Sequence, residues 1–187
     1  MNKKLCFIVS SIFTSLVSSN VIAKDIENID VLTAEAKIIV KRFGGTLKPK
    51  LKQAIKTGGL AHAVNVCATQ APQIAKVLSK ETSWEVKRVS LKARNMLAQP
   101  DKFEQNILKQ FNEASKIKSS KLEYAKIVNG EFRYLKAQKV EGVCLHCHGE
   151  NISPEVQTAI KAHYPNDMAT GYALGNVRGA FSLTKQL

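Results

Sequence analysis

Leu32, Ala36, Ile39 and Phe43 recur every three or four positions, which predicts an amphipathic helix that Gly44-Gly45 should stop. A second helical stretch is expected from about Thr46 to an interruption at Gly58-Gly59. A third is expected from Leu60 to about Ser79, with Pro72 as a candidate kink. On that stretch Leu60, Val64, Cys67, Ala68 and Ala71 share the apolar face, so Cys67 should point inward. His62 lies well round the helix from Cys67, with Asn65 and Thr69, and should be solvated. WEVKRVS (84–90) alternates and reads as a strand. Asp101, with Glu104 three residues later, predicts a capped helix that buries Phe103, Ile107 and Phe111. LEYAKIV and EFRYLKA flank Asn129-Gly130, a dipeptide that accepts the positive φ angles of a tight hairpin. Ser153-Pro154 opens a short helix, and NVRGAFSLTKQL reads as a further strand. Three or four antiparallel strands with several helices, many ahead of the sheet, make an α+β domain.

Residues 1–23 change the picture of where that domain works. Lys3 and Lys4 precede an apolar run from Leu5 to Val17, and Val21 and Ala23 supply the small residues of a cleavage site. The run, which contains Cys6, is shorter than the roughly 20 residues of a membrane span. An export leader removed after Ala23 is expected, leaving one domain over 24–187, periplasmic and without a stable membrane span; a retained membrane anchor is the alternative. There is no internal repeat or low-complexity segment. The chain carries a net charge of +13, and the leader holds only two of its lysines. An exported basic protein points away from nucleic acid and toward acidic proteins or anionic surfaces. KPKLK (48–52) and KIKSSK (116–121) could steer an acidic redox or signalling partner, or be plain solvated faces.

Beyond the leader the cysteines are Cys67, Cys144 and Cys147, an odd number for an oxidising compartment. VCLHCHGE (143–150) contains Cys144-Leu145-His146-Cys147-His148, the C-x-x-C-H attachment sequence of c-type haem. Two thiols three residues apart lie on one turn and can add to both vinyl groups, and the next histidine, His148, then meets the iron. His146 sits between the thioethers and should be exposed. Zinc would want a second pair of ligands, and a thioredoxin-type dithiol would sit near a βαβ unit; neither context is present. Residue types leave the sixth iron position open among Cys67, His62, His163, Met96 and Met168. Cys67 could equally be a buried, inert thiol.

VCATQAPQIA (66–75), RVSLKARNMLAQPDKFE (88–104), CLHCHG (144–149) and ATGYALGNVRGAFSL (169–183) carry a resemblance over most of the domain. The chain resembles the family of exported single-haem c-type domains with a PAS-like fold, long known only as a domain of unknown function. The resemblance implies one covalently bound haem c per chain, held through Cys144 and Cys147, with a Cys/His axial pair, here Cys67 and His148. The family often has Asp where Asn176 stands and Pro where Met96 stands. The first departure weakens any carboxylate role near the final strand; the second leaves Met96 as an unorthodox ligand. Arg88, Arg94 and Arg178 are candidates for the haem propionates, since guanidinium grips carboxylate with two prongs, or for internal ion pairs. Tyr172 is expected to pack.

A thiolate ligand favours ferric iron and a low potential, and a sulfur released on reduction would open a site for carbon monoxide or nitric oxide. Redox or gas sensing is therefore the expected role, and a periplasmic electron carrier is the alternative. Any signal is expected to pass to a separate partner. A peroxidase would need a distal acid–base residue, and no distal His–Arg pair stands at recognisable spacing.

Overall fold

A computed structural model describes residues 18–117 and 122–187, with side chains from residue 28 onward. The expected leader and the Lys116–Lys121 run fall mostly outside the described residues. The elements are α1 (Ser18–Thr82), β1 (Glu85–Val89), α2 (Lys102–Lys116), β2 (Glu123–Val128), β3 (Glu131–Lys139), α3 (Leu145–His148), α4 (Pro154–His163) and β4 (Val177–Gln186). The strands form one antiparallel sheet in the order β1-β4-β3-β2. The fold is α+β, as the pattern predicts, with α1 ahead of the sheet and the Asp101 and Ser153-Pro154 helices, α2 and α4, between strands as expected.

α1 is two helices joined at Gly59, whose φ of 73° is unavailable at low cost to a residue with a Cβ. The helices fold back on each other: Arg42 reaches Glu81 at 2.5 Å, and Leu32, Ala36, Ile39 and Phe43 pack with Ala71, Ile74 and Leu78. Gly44-Gly45 do not end the helix. Two glycines cost it about 1 kcal/mol each, and burial of Phe43 and Ala54 on either side holds it together. Pro72 leaves the helix unbroken as well; Gly59 is its one non-helical residue.

The α1 hairpin covers one sheet face, against Phe132, Tyr134, Phe181 and Leu183. α2 covers the other, with Ile107, Leu108 and Phe111 against Leu135 and Ala180. Strand alternation sends neighbours such as Tyr134 and Leu135 to opposite cores. α2 starts at the expected reciprocal cap between Asp101 and Glu104. The Asn129-Gly130 hairpin has both residues at positive φ.

Candidate haem site

The first turn of the site is built by Gly142–Cys144 and α3, which together make a single compact bend. Cys144 precedes the helix and Cys147 lies one turn on, so both thiols address one side. Both are free, as is Cys67. His146 is exposed, as expected, and His148 is half-buried.

A strap from Asp167 to Tyr172 fastens this bend. Tyr172 N–H donates to the His148 carbonyl at 3.0 Å, and Gly171 N–H to the Gly149 carbonyl at 2.9 Å. Arg94 clamps strap and bend together: its Nε and Nη2 hold Asp167 at 3.0 and 3.1 Å, and Nη2 also donates to the Cys147 carbonyl at 2.5 Å. This arrangement decides the chemistry of His148. Nδ1 lies 2.7 Å from the Ala169 carbonyl, which can only accept, so Nδ1 carries the proton and Nε2 keeps its lone pair. Burial and the positive charges of Arg178 and Arg94 keep the ring neutral, its pKa pushed down to about 2 despite that hydrogen bond.

Above the bend lies a cavity of about 360 Å³. The α1 hairpin walls it with Leu47, Leu51 and Ile55 before Gly59 and with Ala63, Val64 and Cys67 after it. β1 and β4 form its floor with Arg88 and Arg178, and Cys144, Cys147 and His148 close it. Of the five residues weighed for a sixth ligand, Cys67 alone lines the cavity among the described residues. His62, Met96 and Met168 are exposed, and His163 is exposed with Nε2 2.7 Å from Asn65 Oδ1. Burial raises the Cys67 thiol pKa, opposed by Arg88, Arg178 and Arg94.

Arg88 and Arg178 form no ion pair among the described residues. Burial and mutual repulsion push the Arg88 guanidinium down to about 10, and burial lowers Arg178 as well. A β-bulge brings Arg178 here: Gln138 pairs with Gly179 and Lys139 with Val177, so Arg178 is the extra residue. Such a bulge re-aims a side chain, and Ser90 Oγ holds the Arg178 carbonyl at 2.6 Å. Gly179 is required beside it, since a Cβ would stand 2.4 Å from the Val89 carbonyl oxygen. Tyr172 packs beneath, its hydroxyl donating to the Arg178 carbonyl at 3.3 Å. Asn176 is a turn residue, its side chain accepting from Ala173 N–H at 2.8 Å.

Sequence reasoning missed Tyr164, which also lines the cavity. It follows α4 directly, at a position with no motif to mark it. Leu97 and Val143 line the cavity too, and they are 86% and 46% exposed, so a flat apolar group in the cavity would cover them. No group of three or more His, Cys, Asp or Glu side chains that could hold a bare metal ion is found among the described residues.

A family model described as Tll0287-like matches residues 13–185. The crystal structure of the cyanobacterial heme-protein Tll0287 is similar, with a TM-score of 0.57 at 23% identity over 92% of this chain and 97% of that one. No curated protein matches.

Proposed function

The chain belongs to the Tll0287-like family, and from that premise we propose that it is an exported c-type haem protein with a redox- or gas-sensing role. The similar solved structure is that of a heme-protein. One observation carries the reading: a single cavity gathers two free thiols at attachment spacing, a neutral imidazole with its Nε2 available, a third thiol and two arginines without carboxylates. Each matches a part of haem c. The donor set fits no bare metal cluster, and the apolar walls and exposed Leu97 and Val143 suit a flat macrocycle.

Bound there, the group supplies a one-electron iron couple with two axial positions. Cys144 and Cys147 would hold it covalently, and His148 through Nε2 and Cys67 through its sulfur would serve as iron ligands. Arg88 and Arg178 would neutralise the propionates, and Arg94 fixes the attachment bend from behind. The leader pattern at 1–23 supports export to the periplasm, where c-type attachment takes place. Resemblance, together with a helical hairpin on an antiparallel sheet, supports a PAS-like assignment. Cys67 favours sensing, since thiolate stabilises ferric iron and protonation can release it after reduction. The basic α1 hairpin favours the second reading, a soluble electron carrier.

Production in a host that exports and attaches c-type haem tests the proposal. The intact mass of the folded chain should exceed that of its polypeptide by one macrocycle, and the double variant Cys144→Ser/Cys147→Ser should be colourless. A colourless wild-type chain of unmodified mass refutes haem binding. Electron paramagnetic resonance of the ferric protein tests the axial pair: Cys67→Ala should abolish the low-spin thiolate signal, and an unchanged spectrum removes Cys67 from the iron.

A further inference from the structure

Residues 36–80, most of the α1 hairpin, carry Lys or Arg at nine positions and Asp or Glu at none. Lys37, Arg42 and Lys48 meet carboxylates of other segments. Lys50, Lys52 and Lys56 are exposed and form no ion pair among the described residues. They belong to the stretch whose apolar stripe of Leu47, Leu51 and Ile55 walls the cavity. Four-residue spacing sets that stripe on one side of the helix and leaves the lysines spread over the rest. A helix is about 10–12 Å across with its side chains, so a molecule resting on the lysines lies about one helix diameter from the cavity.

This surface continues onto the attachment segment. Lys48 Nζ meets Glu141 Oε1 at 3.1 Å, and two residues further Val143 stands exposed at the cavity. An apolar point beside a field of unpaired cations is the anatomy of a transient polar interface.

We infer that the stretch Lys48–Lys56, together with Val143, is the docking face for an acidic redox protein, an inference that rests on the haem reading above. Opposite charge steers the encounter and sets the orientation, and Val143 gives it an apolar contact. One electron then passes between the partner's redox centre and the iron, and no atom is transferred. An anionic lipid surface would also attract the lysines, but it gains nothing from the cavity behind them, so the protein partner is favoured.

Two charge reversals of equal size in the haem-loaded full chain separate a local face from overall charge. One is Lys50→Glu/Lys52→Glu/Lys56→Glu. The other is Lys102→Glu/Lys109→Glu/Lys126→Glu, at exposed positions on α2 and β2 that do not line the cavity. The probe is ferricyanide, a small anion standing in for the acidic partner. Ferrous protein gives it one electron, leaving ferric protein and ferrocyanide. At low ionic strength the first reversal should slow this oxidation about tenfold and accelerate oxidation by the cation tris(phenanthroline)cobalt(III). Both effects should shrink as salt rises. The second reversal should change either rate by less than about threefold.

Equal effects from the two reversals, or no effect from the first, overturn the inference. So does a first reversal that abolishes sedimentation with phosphatidylglycerol vesicles while leaving the ferricyanide rate unchanged, since the face would then be a lipid site. Haem content of the same samples keeps the two claims apart. A chain without haem defeats the earlier reading; a loaded chain with rates insensitive to position defeats only this one.

Discussion

Arg88 and Arg178 hold like charges against one cavity, a cost that the propionates of the proposed haem would offset. Substituting Arg88 by Met removes a half-buried charge and a repulsion at once. The thermal midpoint of the haem-free chain should therefore rise, by about 2–4 °C for each kcal/mol gained. The loaded protein should respond in the other sense: with a positive charge lost near the iron, its reduction potential should fall. Circular dichroism melts and a potentiometric titration check the pair, and a lower melting midpoint for the haem-free variant would show that contacts hold the guanidinium rather than repulsion straining it. Gly179 is the neighbouring test. With Val89 O only 2.4 Å from the place of a Cβ, Gly179→Ala should lose about 1–3 kcal/mol in urea denaturation through forced separation of β1 and β4. At this scale legibility followed spacing. Cys144, Cys147 and His148 stand out because C-x-x-C-H is a fixed pattern, and Cys67 because its helix face is apolar; the structure brings all four to one cavity. Arg178 could be named but not aimed, because the bulge that turns it depends on pairing between strands. Tyr164 could not be named at all, because the chain brings it to the cavity only through the packing of α4 on α1.

Local signals served best for elements whose ends are set by their own residues. α2 begins where Asp101 and Glu104 cap each other at 2.7 and 2.9 Å, and the hairpin turns where Asn129 and Gly130 adopt positive φ. Asp101→Ala should lower stability by about 1 kcal/mol, and Asp101→Asn by less, because the amide oxygen still caps the helix. Burial raises the Asp101 pKa, but hydrogen bonds from Arg133 and the Glu104 N–H outweigh it, and the group ends below its ordinary value. Its contribution is thus complete above the unfolded carboxylate value, about 3.9, and is lost as pH falls through the folded value. Stability measured from pH 6 down to pH 2 should therefore decline less steeply in Asp101→Asn than in the natural chain. α1 marks the limit of local reasoning. Gly44-Gly45 and Gly58-Gly59 look equivalent in sequence, yet only Gly59 uses a positive φ. The difference comes from the sheet, against which Phe43 and Phe181 meet edge to face at 5.1 Å, keeping the first helix running past its own glycines.

The molecule is three layers, the α1 hairpin, the sheet and α2, with the candidate site at one end. The class was readable because alternation and helical periodicity each persist over whole elements. The strand order was not, since nothing in WEVKRVS says that its neighbour is β4. That order has a kinetic side. Among the described residues β1 pairs with β4 alone, Glu85 opposite Thr184 and Val89 opposite Ala180, and β4 also supplies the partner for β3. During synthesis or refolding, WEVKRVS must wait through some 90 residues of chain before it can pair, while the Asn129-Gly130 hairpin closes on its own within microseconds. Separations of that kind slow folding and leave a half-apolar strand open to foreign edges in the meantime. Crowded overexpression should therefore drive this protein into strand-mediated aggregates through β1, and a polar substitution at Val86 would exchange that hazard for a weaker core.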